Sequence, residues 1–156
     1  MAFIEWCDGL AMSQAYRESL WLFTLTQTLH LVAITTFIGA ILIVDLRLLG
    51  WGLVRQSPAR TARSAQRILL WAGLAVLATG IPQFTANALS YSRSPVFEFK
   101  MCLLAAALVF TATLRRRVAA ADEGRLPVWV PRTVGAVSLA LWMSVAISGR
   151  FITYYG

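Results

Sequence analysis

Four long stretches of this sequence contain no Asp, Glu, Lys or Arg: residues 20–44, 68–89, 101–114 and 133–149. A hydrocarbon core about 30 Å thick is crossed by about 20 residues of α-helix, at about 1.5 Å each. The first two stretches reach that length alone. The others reach it with their flanks, 96–100 before the third and 150–155 after the fourth, which bring charge to the membrane edge. A segment in lipid must satisfy its own backbone hydrogen bonds, so the stretches read as helices spanning 20–44, 67–89, 96–114 and 132–153. Composition agrees: 13% of residues are charged, against about 25% in a soluble domain. The reading is an all-α integral membrane protein with no water-soluble domain.

The first stretch reads as a retained helix rather than a cleaved signal. Glu5, Asp8 and Glu18 precede it where a signal would be basic, and Asp45-Leu46-Arg47 follows where a signal would have small residues.

A net charge of +7 raises nucleic acid as a partner, but the placement of the charges excludes it. Arg47, Arg55, Arg60, Arg63 and Arg67 lie between the first and second spans. Arg115, Arg116, Arg117, Arg125 and Arg132 lie between the third and fourth. The other connections and the termini hold Arg17, Arg93, Lys100 and Arg150. Basic residues concentrated in alternate loops mark the cytoplasmic side. Both termini are therefore expected on the periplasmic side of a bacterial inner membrane, with the basic loops drawn to anionic lipid.

Short connections imply an up-down-up-down antiparallel four-helix bundle over residues 20–156. Residues 1–19 read as a periplasmic interfacial helix with Phe3, Trp6, Cys7 and Leu10 on one face, though the same face also suits capping the bundle. Ser57-Pro58 marks a turn, Ser94-Pro95 a helix start, and Asp122-Glu123-Gly124 with Pro127 and Pro131 a break. Trp21, Trp71, Tyr91, Trp129, Tyr154 and Tyr155 fall near span ends, as an aromatic belt places them. Gly80-Ile81-Pro82 predicts a kink in the second span. Ala136, Ala140, Ser144 and Ser148 form a small-residue line, a packing seam within the bundle or between subunits.

Polar side chains inside a membrane are candidate functional groups. Gln27 and His30 lie in the outer half of the first span, with His30 about 15 Å deep. Thr79, Gln83 and Asn87 form a stripe on the second, rising from mid-depth toward the outer side. Lys100 enters with the third and Arg150 leaves with the fourth. With the cytoplasmic half apolar until Asp45, this asymmetry predicts a polar pocket opening outward.

His30 is the only histidine. It reads either as a buried partner of Gln27, Thr26 or a facing helix, as a haem or metal ligand, or as a proton relay. A b-type haem on His30 needs a second axial ligand from another subunit, from Met101 or from Met143, or else a five-coordinate iron. Lys100 and Arg150 stand at a depth suited to haem propionates, and equally to snorkelling toward headgroups. Asp45 reads as a structural anchor paired with Arg67 or Arg115. Cys7 and Cys102 fall on the same side, where a disulfide is permitted. The chain has no Cys-x-x-Cys-His haem attachment, no His-Glu-x-x-His and no phosphate-binding glycine loop, which argues against an ordinary hydrolase.

The run from His30 through Thr35, Thr36 and Gly39 to Asp45-Leu46-Arg47-Leu48-Leu49-Gly50 resembles a family of small uncharacterised bacterial four-helix inner-membrane proteins. Pro95-Val96-Phe97-Glu98-Phe99-Lys100-Met101 is similar to that family's second recurring patch. The first run is also similar to the copper-resistance D type of membrane protein, which implies haem or copper at His30 alone. The chain departs from that type in lacking a second histidine and a methionine cluster. Three functions remain open. One is a b-type haem-binding, redox-linked protein acting through His30, as a homo-oligomer or a subunit of a membrane complex. Another is a non-enzymatic membrane subunit or scaffold that binds lipid or a small periplasmic ligand. The third is a transporter or sensor for a periplasmic anion.

Overall fold

The structure, a computed structural model, describes residues 6–7, 9–51, 57–92, 94–121 and 126–155, and the side chains of all of these except 12 and 150–155. In chain order its helices are α1 (Ala11–Glu18), α2 (Leu20–Leu49), α3 (Pro58–Ala86), α4 (Ala88–Tyr91) and α5 (Pro95–Phe110). One wide π turn, Thr111–Arg115, then leads into α6 (Arg116–Ala120), and α7 (Trp129–Tyr155) follows. Four stretches are long and apolar enough to cross a membrane: Leu20–Leu49, Pro58–Ala86, Pro95–Ala120 and Trp129–Gly149.

Local chemistry sets the helix ends. Ser19 Oγ accepts the Leu22 N–H at 3.3 Å and caps α2, which ends at Gly50 with a left-handed φ of 85°. Ser57 Oγ caps α3 through the Arg60 N–H, with Pro58 in the first turn. Ser94 differs from expectation: Pro95 does start α5, but the Ser94 hydroxyl makes no capping bond and is buried without a partner among the described residues. Within the long helices Thr24, Thr26, Thr28, Thr35 and Thr36 donate their hydroxyls to carbonyls one turn back. A threonine so bonded turns its methyl outward, which reconciles these residues with an apolar surface. Pro82 lies inside α3, which runs on to Ala86.

Helix α2 packs against α3 and α7, and α7 packs against α5. Val44, Leu48, Ala65, Val118, Ala119 and Val134 form one core cluster, which gathers the ends of the four long helices that adjoin the arginine-rich connections. We call this the arginine end. A second cluster, Ile41, Ala107, Trp142 and Val145, lies deeper between α2, α5 and α7, with Phe37 edge-on to Trp142 at 5.2 Å. Phe84, Tyr91 and Phe97 stack at the opposite, aromatic end. The outer faces carry exposed apolar side chains such as Leu25, Leu29, Leu74, Leu77 and Val109.

Three features left open by the sequence take a definite form. The N-terminal helix occupies Ala11–Glu18, after a break at 9–10; residues 1–5 and 8, with the expected Phe3 anchor, lie outside the described residues. Helix α1 is a cap: Tyr16 is buried against Phe23, and Arg17 donates to the Ala86 carbonyl at 3.1 Å. In the small-residue line, Ser148 is buried but Ala136, Ala140 and Ser144 are exposed, so most of it is no seam within this chain. Small residues do allow close approach elsewhere: a Cβ on Gly135 would stand 2.9 Å from the Asp45 carbonyl oxygen. The cysteines do not bridge; Cys7 is free and buried, Cys102 free and exposed.

Candidate functional site

The α2–α3 contact brings His30 to Thr79, with Nδ1 2.7 Å from Oγ1. The Thr79 hydroxyl has one proton and directs it to the Ala75 carbonyl at 2.6 Å. With that proton so placed, the oxygen accepts from the ring, an arrangement that favours the tautomer with its proton on Nδ1. Gly80 makes the space: a Cβ there would lie 3.1 Å from His30 Cε1. The ring also hydrogen-bonds the Val76 backbone, and no side chain among the described residues is bonded to Nε2.

Lys100 of α5 reaches the same region. Its Nζ lies against Gly149 of α7, where an added Cβ would be 3.4 Å away, and its charge acts on His30. Among the described residues it has no hydrogen bond or ion pair. Gln83, one turn beyond Thr79, has its Nε2 buried without an acceptor among the described residues. Lys100 and Gln83 thus bring donors without acceptors among the described residues to the same end of the bundle as the His30 ring. That arrangement suits a ligand bearing a metal or acceptor oxygens.

The other expected site residues fare differently. Gln27 is half-buried one turn from His30 on α2. Asn87 ends α3 and donates to the Gln83 carbonyl at 3.3 Å, which gives it a local structural task. The Arg150 side chain lies outside the described residues. Met101 and Met143 are 45% and 48% exposed, so neither turns into the core as a second axial ligand. At the aromatic end, burial raises the phenols of Tyr16 and Tyr91 above the ordinary value, and both stay neutral donors.

A buried polar network near the arginine end is built on Asp45, the residue at which the apolar stretch was expected to end. Asp45 accepts the Arg115 Nε–H and, at 2.7 Å, the Ser138 hydroxyl, while Arg115 Nη2 donates to the Ile41 carbonyl at 3.0 Å. Asp45 and Ser138 are fully buried. The π turn that positions Arg115 also presents Thr111, which accepts the Trp142 indole N–H at 3.1 Å. Pairing of Asp45 with Arg115 is one of the two options read from the sequence. Ser138 was not legible there, because a serine in an apolar run reads as small filler.

Two cavities are not lined by His30 itself. One, of about 210 Å³, is at the arginine end between Arg47, Gly50 and Arg132. The other, of about 630 Å³, is an apolar groove between α2 and α3 that ends at Thr79.

A model of a family of unknown function, DUF6644, matches residues 3–155, and the chain belongs to that family. No curated protein and no solved structure matches the chain.

Proposed function

We propose that this member of a family of unknown function is a multi-pass membrane protein that binds b-type haem through His30 Nε2. The observation that carries the reading is the His30–Thr79 bond. A metal-ligating histidine characteristically donates its other ring N–H to a fixed acceptor, which sets tautomer and ring orientation. His30 has that arrangement, with Nδ1 held at Thr79, no side chain bonded to Nε2 among the described residues, and Gly80 leaving room for the ring. Lys100, without an ion pair among the described residues, would hold a propionate. Bound haem supplies one-electron transfer.

The four long apolar helices support an antiparallel bundle inserted in a bilayer, and the arginine distribution supports the arginine end as cytoplasmic with both termini periplasmic. In that orientation His30 and Lys100 lie in the outer half. With Met101 and Met143 facing outward, His30 would be the one residue of this chain to hold the haem, and His30 of another copy in a homo-oligomer would supply any further ligand.

A second reading has its own support. The unpaired donors of Gln83 and Lys100 would also hold the acceptor oxygens of a small periplasmic ligand in a non-enzymatic scaffold. The visible spectrum of the purified full chain separates the two. A Soret band that His30→Ala abolishes supports haem; colourless protein isolated from haem-replete cells supports the scaffold.

A further inference from the structure

We propose that the groove between α2 and α3 is a binding site for one anionic phospholipid of the leaflet at the arginine end. Its walls are Leu29, Val32 and Ala33 of α2 and Ala72, Ala75 and Ala78 of α3. The alanines leave a trough where larger side chains would close the surface. From Arg67 to Thr79 is twelve residues, about 18 Å of helix, slightly more than half of a hydrocarbon core about 30 Å thick. The groove is therefore the length of one leaflet, as a single acyl chain is.

The polarity of the ends fixes the direction. The inner end offers nothing to a polar head: the Thr79 hydroxyl is engaged with Ala75 and His30. Thr36 on the wall donates to the Val32 carbonyl and shows its methyl. The outer end is Arg67, exposed and without a hydrogen-bond or ion-pair partner among the described residues. Arg60 and Arg63 are also exposed, and the spacing of 60, 63 and 67 sets all three on the groove's side of α3. Trp71 stands one turn inside them, 74% exposed, where an indole sits below headgroups. Cations at the mouth, an interfacial tryptophan, then a leaflet-length apolar trough match an anionic headgroup and its tail. The inference rests on the membrane placement proposed above and is independent of what binds His30.

Native mass spectrometry of the full chain, released from vesicles of equal parts phosphatidylglycerol and phosphatidylcholine, tests it. Wild-type protein is expected to retain one phosphatidylglycerol with about fivefold preference, near what one basic side chain contributes at an anionic surface. Arg67→Gln should bring the preference close to one. Ala75→Leu, which fills the trough from an exposed position, should lose the retained lipid with an unchanged melting temperature. Equal retention of the two lipids by wild type, or undiminished phosphatidylglycerol on Ala75→Leu, overturns the proposal. So does a change of oligomeric state in Ala75→Leu, which would make the groove a contact between copies. A chain that fails to enter vesicles at all refutes the membrane placement instead.

Discussion

Asp45 of α2 accepts the Nε–H of Arg115, seventy residues on, and both side chains are buried where α2, the π turn and α7 meet. Ser138 takes the second carboxylate oxygen and the Ile41 carbonyl takes a further guanidinium N–H, so both charges are met. A buried pair of this kind adds little net stability over apolar residues, but losing one partner strands the other.

Asp45→Ala should therefore destabilise the fold by about 3–5 kcal/mol, and Arg115→Met by a similar amount. The double variant Asp45→Leu with Arg115→Met should recover most of that loss. Denaturation in detergent measures all three, and a double variant as unstable as the singles would contradict the account.

Glycines in these helices differ in what surrounds them, and the difference gives opposite signs. A Cβ at Gly135 would meet the Asp45 carbonyl oxygen at 2.9 Å and Leu48 Cβ at 3.0 Å, atoms that move only if α2 and α7 separate. Gly135→Ala is expected to cost about 1–3 kcal/mol despite the better helix former. Gly39 has nothing within 4 Å of such a Cβ, so Gly39→Ala should stabilise by up to about 1 kcal/mol. Thermal unfolding of the two variants compares them directly.

How much of this was legible follows from which property each feature depends on. The spans depend on composition over about 20 residues, a signal present in any single sequence. Asp45 stood out because a charge at the end of an apolar run needs a partner, and two arginines were the options. The choice between Arg67 and Arg115 depends on which way each side chain faces: Arg115 is turned into the bundle onto Asp45, and Arg67 is exposed. Ala136, Ala140 and Ser144 left two readings open because small-residue spacing marks a face without saying what faces it. At His30, the sequence supplied the residue and Thr79 on the facing stripe. The ring tautomer and the gaps left by Gly80 and Gly149 needed coordinates, because each depends on a distance of a few ångströms between helices.

The exposed small-residue face carries its own test. Ala140 is exposed in this chain, so Ala140→Leu should change monomer stability by no more than about 0.5 kcal/mol. If the face joins copies in a homo-oligomer, the same change should reduce oligomer size in detergent. Light scattering alongside thermal unfolding reads both quantities, and a large loss of monomer stability would mean that the residue is buried after all.

Sidedness is tested by cysteine labelling of intact cells with a membrane-impermeant reagent. Single cysteines near 56 and 122, in a background with Cys7→Ser and Cys102→Ser, should be protected, and one near 155 should be labelled. The reverse pattern would place the arginine end outside, against the charge rule, and move His30 and Lys100 to the cytoplasmic half.

The last prediction separates ligation from packing at His30. If Nε2 holds haem iron, His30→Ala abolishes the Soret band while the helices remain folded, and His30→Gln does the same, because an amide preserves hydrogen bonding but is a poor haem ligand. Thr79→Val keeps the ring yet removes the acceptor of Nδ1–H, so haem affinity should fall by about 10–100-fold, as it does when the outer partner of a metal-bound histidine is lost. Gly80→Ala brings a methyl to 3.1 Å from Cε1 and should weaken binding by displacing the ring. A packing role gives a different pattern. His30→Ala would cost about 1–3 kcal/mol for partners left unpaired, His30→Gln would restore much of it, and no variant would have a Soret band to lose. Spectra and melting temperatures of the four variants, set against wild type, decide between the two. A wild-type chain that binds no haem when reconstituted with it would rule out ligation by Nε2.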